Sequence, residues 1–157
     1  MQASTTFQYT PKTNLKLYQN TLVVQCMAFC KKLDQYCIVR DSNEIFYSLP
    51  GGGCEPGETS SECIVREIQE EAQMSVSNLT LLGSVIVTHR IGSKIIETVR
   101  HDRYICDVQS ETSFIPNKNG FEVEEKKYVP LSDLQHLVKL LQNPSGDALI
   151  KQISQYF

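Results

Sequence analysis

The sequence predicts an α/β (α+β) fold: a mixed β-sheet covered by helices on both faces. Three observations carry this. Apolar runs rich in β-formers stand on both sides of residue 60, one amphipathic segment with a start signal lies between them, and leucines recur at helical spacing before the C-terminus. At 157 residues the chain can bury roughly two thirds of its unfolded surface in one core, so one domain over residues 1–157 suffices.

Residues 1–20 are polar, without an apolar run of secretory or membrane length, and should form a loose lead-in or an edge strand. Thr21 to Cys30 (TLVVQCMAFC) is a core strand, too short to cross a bilayer. Lys31 to Gln35 is a turn, Tyr36 to Arg40 a second strand, and Glu44 to Leu49 a short strand delivering the chain to Pro50, Gly51, Gly52 and Gly53. Thr59 with Glu62 three residues on has the spacing of a capping box, so a helix should begin at Ser60. Leu79 to Val87 and Lys94 to Val108 read as a hairpin across residues 89–93. Residues 111–120 read as a loop, and Phe121 to Pro130 turns from acidic to β-like. Leu131 to Leu141 is a helix, with Ser132 as a possible cap and Pro144 as its stop, and a short helix over Asp147 to Tyr156 closes the chain.

Composition narrows the partners. A net charge of −3, from 15 basic and 18 acidic residues, gives no footprint for a nucleic-acid polymer and leaves small phosphate esters as ligands through local charge. The six cysteines form no CxxC pair and follow no secretory signal, so reduced thiols in a cytoplasmic protein are expected. Cys54, in the glycine loop, has redox sensitivity as a second reading.

The chemistry concentrates between Leu49 and Met74. Glycines at 51–53 let the backbone approach a phosphate as Cβ-bearing residues cannot. In the following helix Glu67, Glu70 and Glu71 fall within one arc, beside an apolar stripe of Ile64, Ile68 and Ala72. Carboxylates so crowded repel one another unless a cation sits among them, and an all-oxygen set suits a hard divalent ion. By spacing alone, a solvated acidic face explains them equally well.

The order of residues separates those readings. Gly52, Glu58, Arg66, Glu67, Glu70 and Glu71, at these intervals and with apolar Ile68, resemble the Nudix box of the Nudix (MutT-like) hydrolases, here spanning residues 52–74. At usage of about one in fifteen per fixed position, six such matches arise by chance about once in ten million windows. Leu49, Pro50 and Gly51 are also similar to the family, and Tyr47 stands where many members carry Trp. One position departs: Gln73 replaces a Gly that normally ends the helix in a left-handed cap. Gln73 therefore either adopts that conformation at a cost of about 1 kcal/mol or the helix ends differently.

The resemblance implies a Nudix-type α/β/α sandwich with a mixed sheet, the box forming a loop-helix-loop. It implies metal-dependent hydrolysis of a nucleoside diphosphate linked to another group, with Glu67, Glu70 and Glu71 as ligands of Mg²⁺, or of Mn²⁺, which accepts the same oxygen geometry. Arg66 should hold a carboxylate in place, Glu58 being its expected partner. Many members add a carboxylate before an aromatic strand; Glu122 is the first candidate here and Glu125 the second. For substrate, Gly51, Gly52 and Gly53 are expected at phosphate, and Arg40, Tyr47 and Arg103 lead a wider set of basic and aromatic candidates. No ADP-ribose or coenzyme A signature is evident. Family members often dimerise, so a homodimer is possible. The alternative reading is a nucleotide-sensing module on the same fold that does not turn over.

Overall fold

In the computed structural model, residues 3–11, 21–120 and 122–155 are described. Seven strands form one sheet: β1 (Ala3–Pro11), β2 (Thr21–Cys30), β3 (Gln35–Asp41), β4 (Gly51–Gly53), β5 (Met74–Ile91), β6 (Lys94–Glu111) and β7 (Val123–Val129). Three α-helices accompany them: α1 (Ser60–Ala72), α2 (Leu131–Leu137) and α3 (Pro144–Ser154). The strand order is β1-β5-β6-β2-β3-β7, with β4 paired to β2. The sheet is mixed because β2 runs parallel to β6, while its other pairs are antiparallel.

Alternation along the central strands divides the core between two layers. Val24, Cys26 and Ala28 of β2, with Cys37 and Val39 of β3, pack against Cys63, Ile64, Ile68 and Ala72 of α1. Met27, Phe29, Tyr36 and Ile38 point the other way, onto Leu134, Leu149 and Ile153 of the two later helices. The expected α/β/α sandwich is thus the observed one.

Four local expectations are corrected. Glu44 to Leu49 is not a strand: it makes isolated bridges alone, Ser48 to Val39 and Tyr47 to Val138. The ladder position beside β2 is taken instead by the glycines, with Val24 opposite Gly52 and the Cys26 amide donating to the Pro50 carbonyl at 2.9 Å. The hairpin is also longer at both ends than its apolar residues indicated, since cross-strand pairing extends β5 and β6 to 18 residues each. Finally, the helix expected over Leu131 to Leu141 ends at Leu137, where Val138 is extended, and Pro144 opens α3 instead of stopping α2: Asn143 accepts from the amides of Ser145 and Gly146, and Pro is tolerated in the first turn because it forfeits no helical bond there. Of the two readings for the N-terminal segment, residues 3–11 realise the edge strand, antiparallel to β5, and residues 12–20 lie outside the described set.

Candidate active site

α1 begins where its cap predicts. Thr59 is extended and its hydroxyl accepts from the Glu62 amide at 3.2 Å. Ile64, Ile68 and Ala72 are fully buried, so the helix is held by its apolar stripe and the adjacent acidic arc is carried along the sheet surface.

That arc lies under the glycine strand. The Glu71 carboxylate accepts from the Gly51 amide at 3.0 Å. A Cβ added at Gly52 would stand 2.6 Å from the Glu67 carboxyl carbon, and one added at Gly51 would stand 1.9 Å from the Val24 carbonyl oxygen. The first two glycines thus lack side chains for different reasons: Gly51 to fit the sheet, Gly52 to leave room for a carboxylate.

Arg66 ties the set together. Its Nε and Nη2 donate to the two oxygens of Glu58 at 2.7 and 2.9 Å, the bidentate pairing that a planar guanidinium favours. Its Nη1 donates to Glu67 at 3.0 Å and to Glu70 at 2.9 Å, and Nη2 reaches the Gly53 carbonyl at 3.2 Å. Arg66 holds Glu58 well below the ordinary carboxylate range, at about 2. Burial dominates at the other end: it raises Glu67 and pushes Glu71 up to about 8, with the neighbouring carboxylates adding to the rise. One guanidinium does not neutralise this set. Oxygen donors alone are the kind a hard divalent cation takes, and in this structure the carboxylate oxygens of Glu67, Glu70 and Glu71 do not all lie within 4.8 Å of one another.

The remaining candidates are distributed unevenly. Glu122 is exposed at the end of the β6–β7 loop, its carbonyl accepting from the Ser42 amide at 2.8 Å. Arg40, Tyr47 and Glu125 form their own group: Arg40 Nε donates to Glu125 at 3.2 Å and the Tyr47 hydroxyl donates to the same carboxylate at 2.8 Å. Since Cys37 and Val39 face α1, alternation puts Arg40 and its cross-strand partner Glu125 on the opposite face of the sheet. Arg103 is 2% exposed, within the core.

Two residues not singled out from the sequence stand close to the arc. Asp41 follows Cys37 and Val39 by alternation on the α1 face, and its carboxyl is raised by partial burial and by Glu44 and Glu122. The strand alternation carried that signal. Lys118, with Asn119, lines a cleft of about 200 Å³ whose other walls include Glu70 and Gln73. The expectation that all six cysteines are reduced is also corrected. Cys54 and Cys63 form a disulfide between the loop and α1, because the glycine strand brings the loop back against the first turns of the helix. Cys26, Cys30, Cys37 and Cys106 are free thiols.

The site is thus a glycine strand laid over a helix edge of carboxylates, with one guanidinium bonded to Glu58, Glu67 and Glu70. Comparison with known proteins places it: the NUDIX domain family model matches residues 20–152, and the chain belongs to the Nudix family. That family generally uses divalent metal and acts on small nucleotide-type substrates, and the chain spans less than a third of the length of the curated relatives it matches. The chain is 31% identical over 78 residues to the NAD-capped RNA hydrolase NudC of Pseudomonas syringae pv. tomato, covering 48% of this chain and 28% of that protein. It is 45% identical over 38 residues to the NudC of Pseudomonas fluorescens, covering 24% of this chain and 14% of that protein. Among solved structures it is similar to the Bacillus subtilis pyrophosphohydrolase BsRppH, with TM-score 0.75, 18% identity and coverage of 97% and 92% of the two chains. An ADP-ribose pyrophosphatase from Streptococcus suis gives TM-score 0.59 at 18% identity, over 87% and 92%. At such identity these structures share the fold.

Proposed function

We propose that the whole chain works as one Nudix domain, a Mg²⁺-dependent pyrophosphohydrolase that cleaves a nucleoside diphosphate linked to another group. The carrying observation is the Arg66 fork, which holds Glu58, Glu67 and Glu70 together at 2.7 to 3.0 Å while Glu71 is seated on the Gly51 amide. Glu67, Glu70 and Glu71 would hold the ion. Once bound, the cation supplies a more acidic water and neutralises charge on the phosphates.

The chain's own groups do the rest. Gly52 and Gly53 present backbone without side chains, so a phosphate approaches the helix edge closely. Arg66 keeps the carboxylates in one arrangement before substrate arrives, and such preorganisation limits the reorientation required during reaction. Glu122, exposed and near enough to Asp41 to raise its carboxyl, is the candidate to accept the proton of the attacking water. Glu125 is already engaged by Arg40 and Tyr47 on the other face, which favours Glu122 over it.

Mn²⁺ would serve in the same oxygen geometry. Cytoplasmic placement and a homodimer belong to this reading, and no helix among the described residues is long and apolar enough to cross a membrane. The net charge supports a small nucleotide over a long polymer, and because relatives bear the name NAD-capped RNA hydrolase, short capped RNA belongs among the substrates to test. Calorimetric titration separates this from the sensing module. Binding of Mg²⁺ together with nucleotide, followed by release of cleaved product, supports the hydrolase, and binding with no product supports the module. Absence of Mg²⁺ binding contradicts both.

A further inference from the structure

Gln73 occupies the position where the family's box ends in glycine, and it adopts the left-handed conformation with φ 55° and ψ 46°. A non-glycine residue there is strained, so its side chain needs a reason. The structure supplies one. Gln73 Nε2 donates to the Ile115 carbonyl at 2.8 Å, and the Ile115 amide donates back to Gln73 Oε1 at 3.0 Å. The Thr112 amide and hydroxyl both donate to the Gln73 carbonyl, each at 3.4 Å. One buried side chain thus pairs with the β6–β7 loop as a strand would.

The loop is fastened again further along. The Asn117 amide donates to the Val123 carbonyl at 2.8 Å, and Ser42 Oγ donates to Asn117 Oδ1 at 2.8 Å. Directly after the second anchor, Lys118 and Asn119 line, with Glu70, the cleft of about 200 Å³. Among the described residues of that lining, Lys118 is the one cation and Glu70 the one carboxylate, and the same loop continues to Glu122. A glycine at position 73 could end the helix but could not hold this loop.

We propose that Gln73 is a positioning residue, whose amide clamps the loop 112–120 to the end of α1 so that Lys118 binds a phosphate of the substrate beside Glu70. This rests on the hydrolase reading of the same site. Gln73→Gly and Gln73→Asn both suit the left-handed backbone and both lose the reach to Ile115. Steady-state kinetics on ATP, GTP, ADP-ribose and NAD with Mg²⁺ should therefore show KM raised about tenfold in either variant, with kcat changed much less, the loss expected for one charge-assisted contact. Lys118→Ala should raise KM equally, and the double variant Gln73→Gly with Lys118→Ala no further. Their melting temperatures should stay level or rise, whereas a merely structural Gln73 predicts a lower melting temperature and an unchanged KM. Trypsin reads the clamp without substrate: cleavage after Lys118 should be slow in the wild type and faster in Gln73→Gly. Unchanged KM in Gln73→Gly, or equal trypsin rates, overturns the proposal. Wild-type protein that turns over none of these four, nor any nucleotide sugar, dinucleoside polyphosphate or short capped RNA, defeats the hydrolase reading instead, and the trypsin comparison still judges the clamp.

Discussion

Gly51→Ala and Gly52→Ala, adjacent and chemically identical, should fail in opposite ways. At Gly51 the new methyl would meet backbone, 1.9 Å from the Val24 carbonyl oxygen and 2.9 Å from the Gln25 Cα. Backbone in the sheet centre moves only by breaking the β2–β4 ladder, so the cost is that of overpacking, on the order of 3 kcal/mol. For a chain of this size that lowers Tm by about 6–12 °C. At Gly52 the methyl meets only the Glu67 carboxylate, at 2.6 Å from its carbon. That carboxylate ends a flexible side chain and can recede by about 1 Å to ordinary contact. Folding is then nearly unaffected, with Tm within about 3 °C of wild type, while a carboxylate displaced by that much costs about 100-fold in kcat/KM. Thermal melts and product-release kinetics on the two variants check both halves. A Gly52→Ala protein with full activity would refute the seating of Glu67, and one as unstable as Gly51→Ala would refute the division of labour between the glycines.

Arg66→Lys keeps the charge but loses the fork, so it should reduce kcat/KM by about 10-fold or more, since an ammonium cannot pair with Glu58 through two parallel bonds and also hold Glu67 and Glu70; kinetics check it. His101 contributes one pH dependence of its own: burial first, then Arg103, lowers it from an ordinary 6.5 to about 4. The unfolded chain therefore binds more protons between those values, and stability present above pH 6.5 is lost as pH falls toward 4, by at most about 3 kcal/mol. From pH 7.5 to 4.5, urea melts should show a less favourable change in stability in wild type than in His101→Gln, the opposite contribution of the raised Glu71 being common to both. Thiol titration of the denatured, unreduced protein should find four reactive cysteines, rising to six after reduction, because only Cys54 and Cys63 are joined.

Much of this was legible because it is local. β2 ends at the residues its apolar run marks, α1 starts one residue after its cap, and Gln73 takes the left-handed turn that was one of its two expected outcomes. The family resemblance rests on side chains within one loop and helix, and these are the groups that meet in space. What stayed hidden depends on pairing across the chain. Nothing local makes three glycines a strand; β2 does so from opposite. Glu125 resembled Glu122 as a loop carboxylate until its register with Arg40 set it on the far face. Gln73 read as a flaw in helix geometry, because its partner Ile115 lies 42 positions away. The Cys54–Cys63 bond depends likewise on how far the glycine strand folds back.

The central claim is tested most directly by one assay: phosphate or pyrophosphate release from nucleoside triphosphates, ADP-ribose, nucleotide sugars, dinucleoside polyphosphates, NAD and short capped RNA, with Mg²⁺ or EDTA, for wild type, Glu70→Gln and Glu71→Gln. Turnover of at least one substrate that EDTA abolishes and each substitution lowers by 100-fold or more is the predicted result, at about 2.7 kcal/mol of transition-state stabilisation. Turnover that persists in EDTA, or that survives both substitutions, would contradict it.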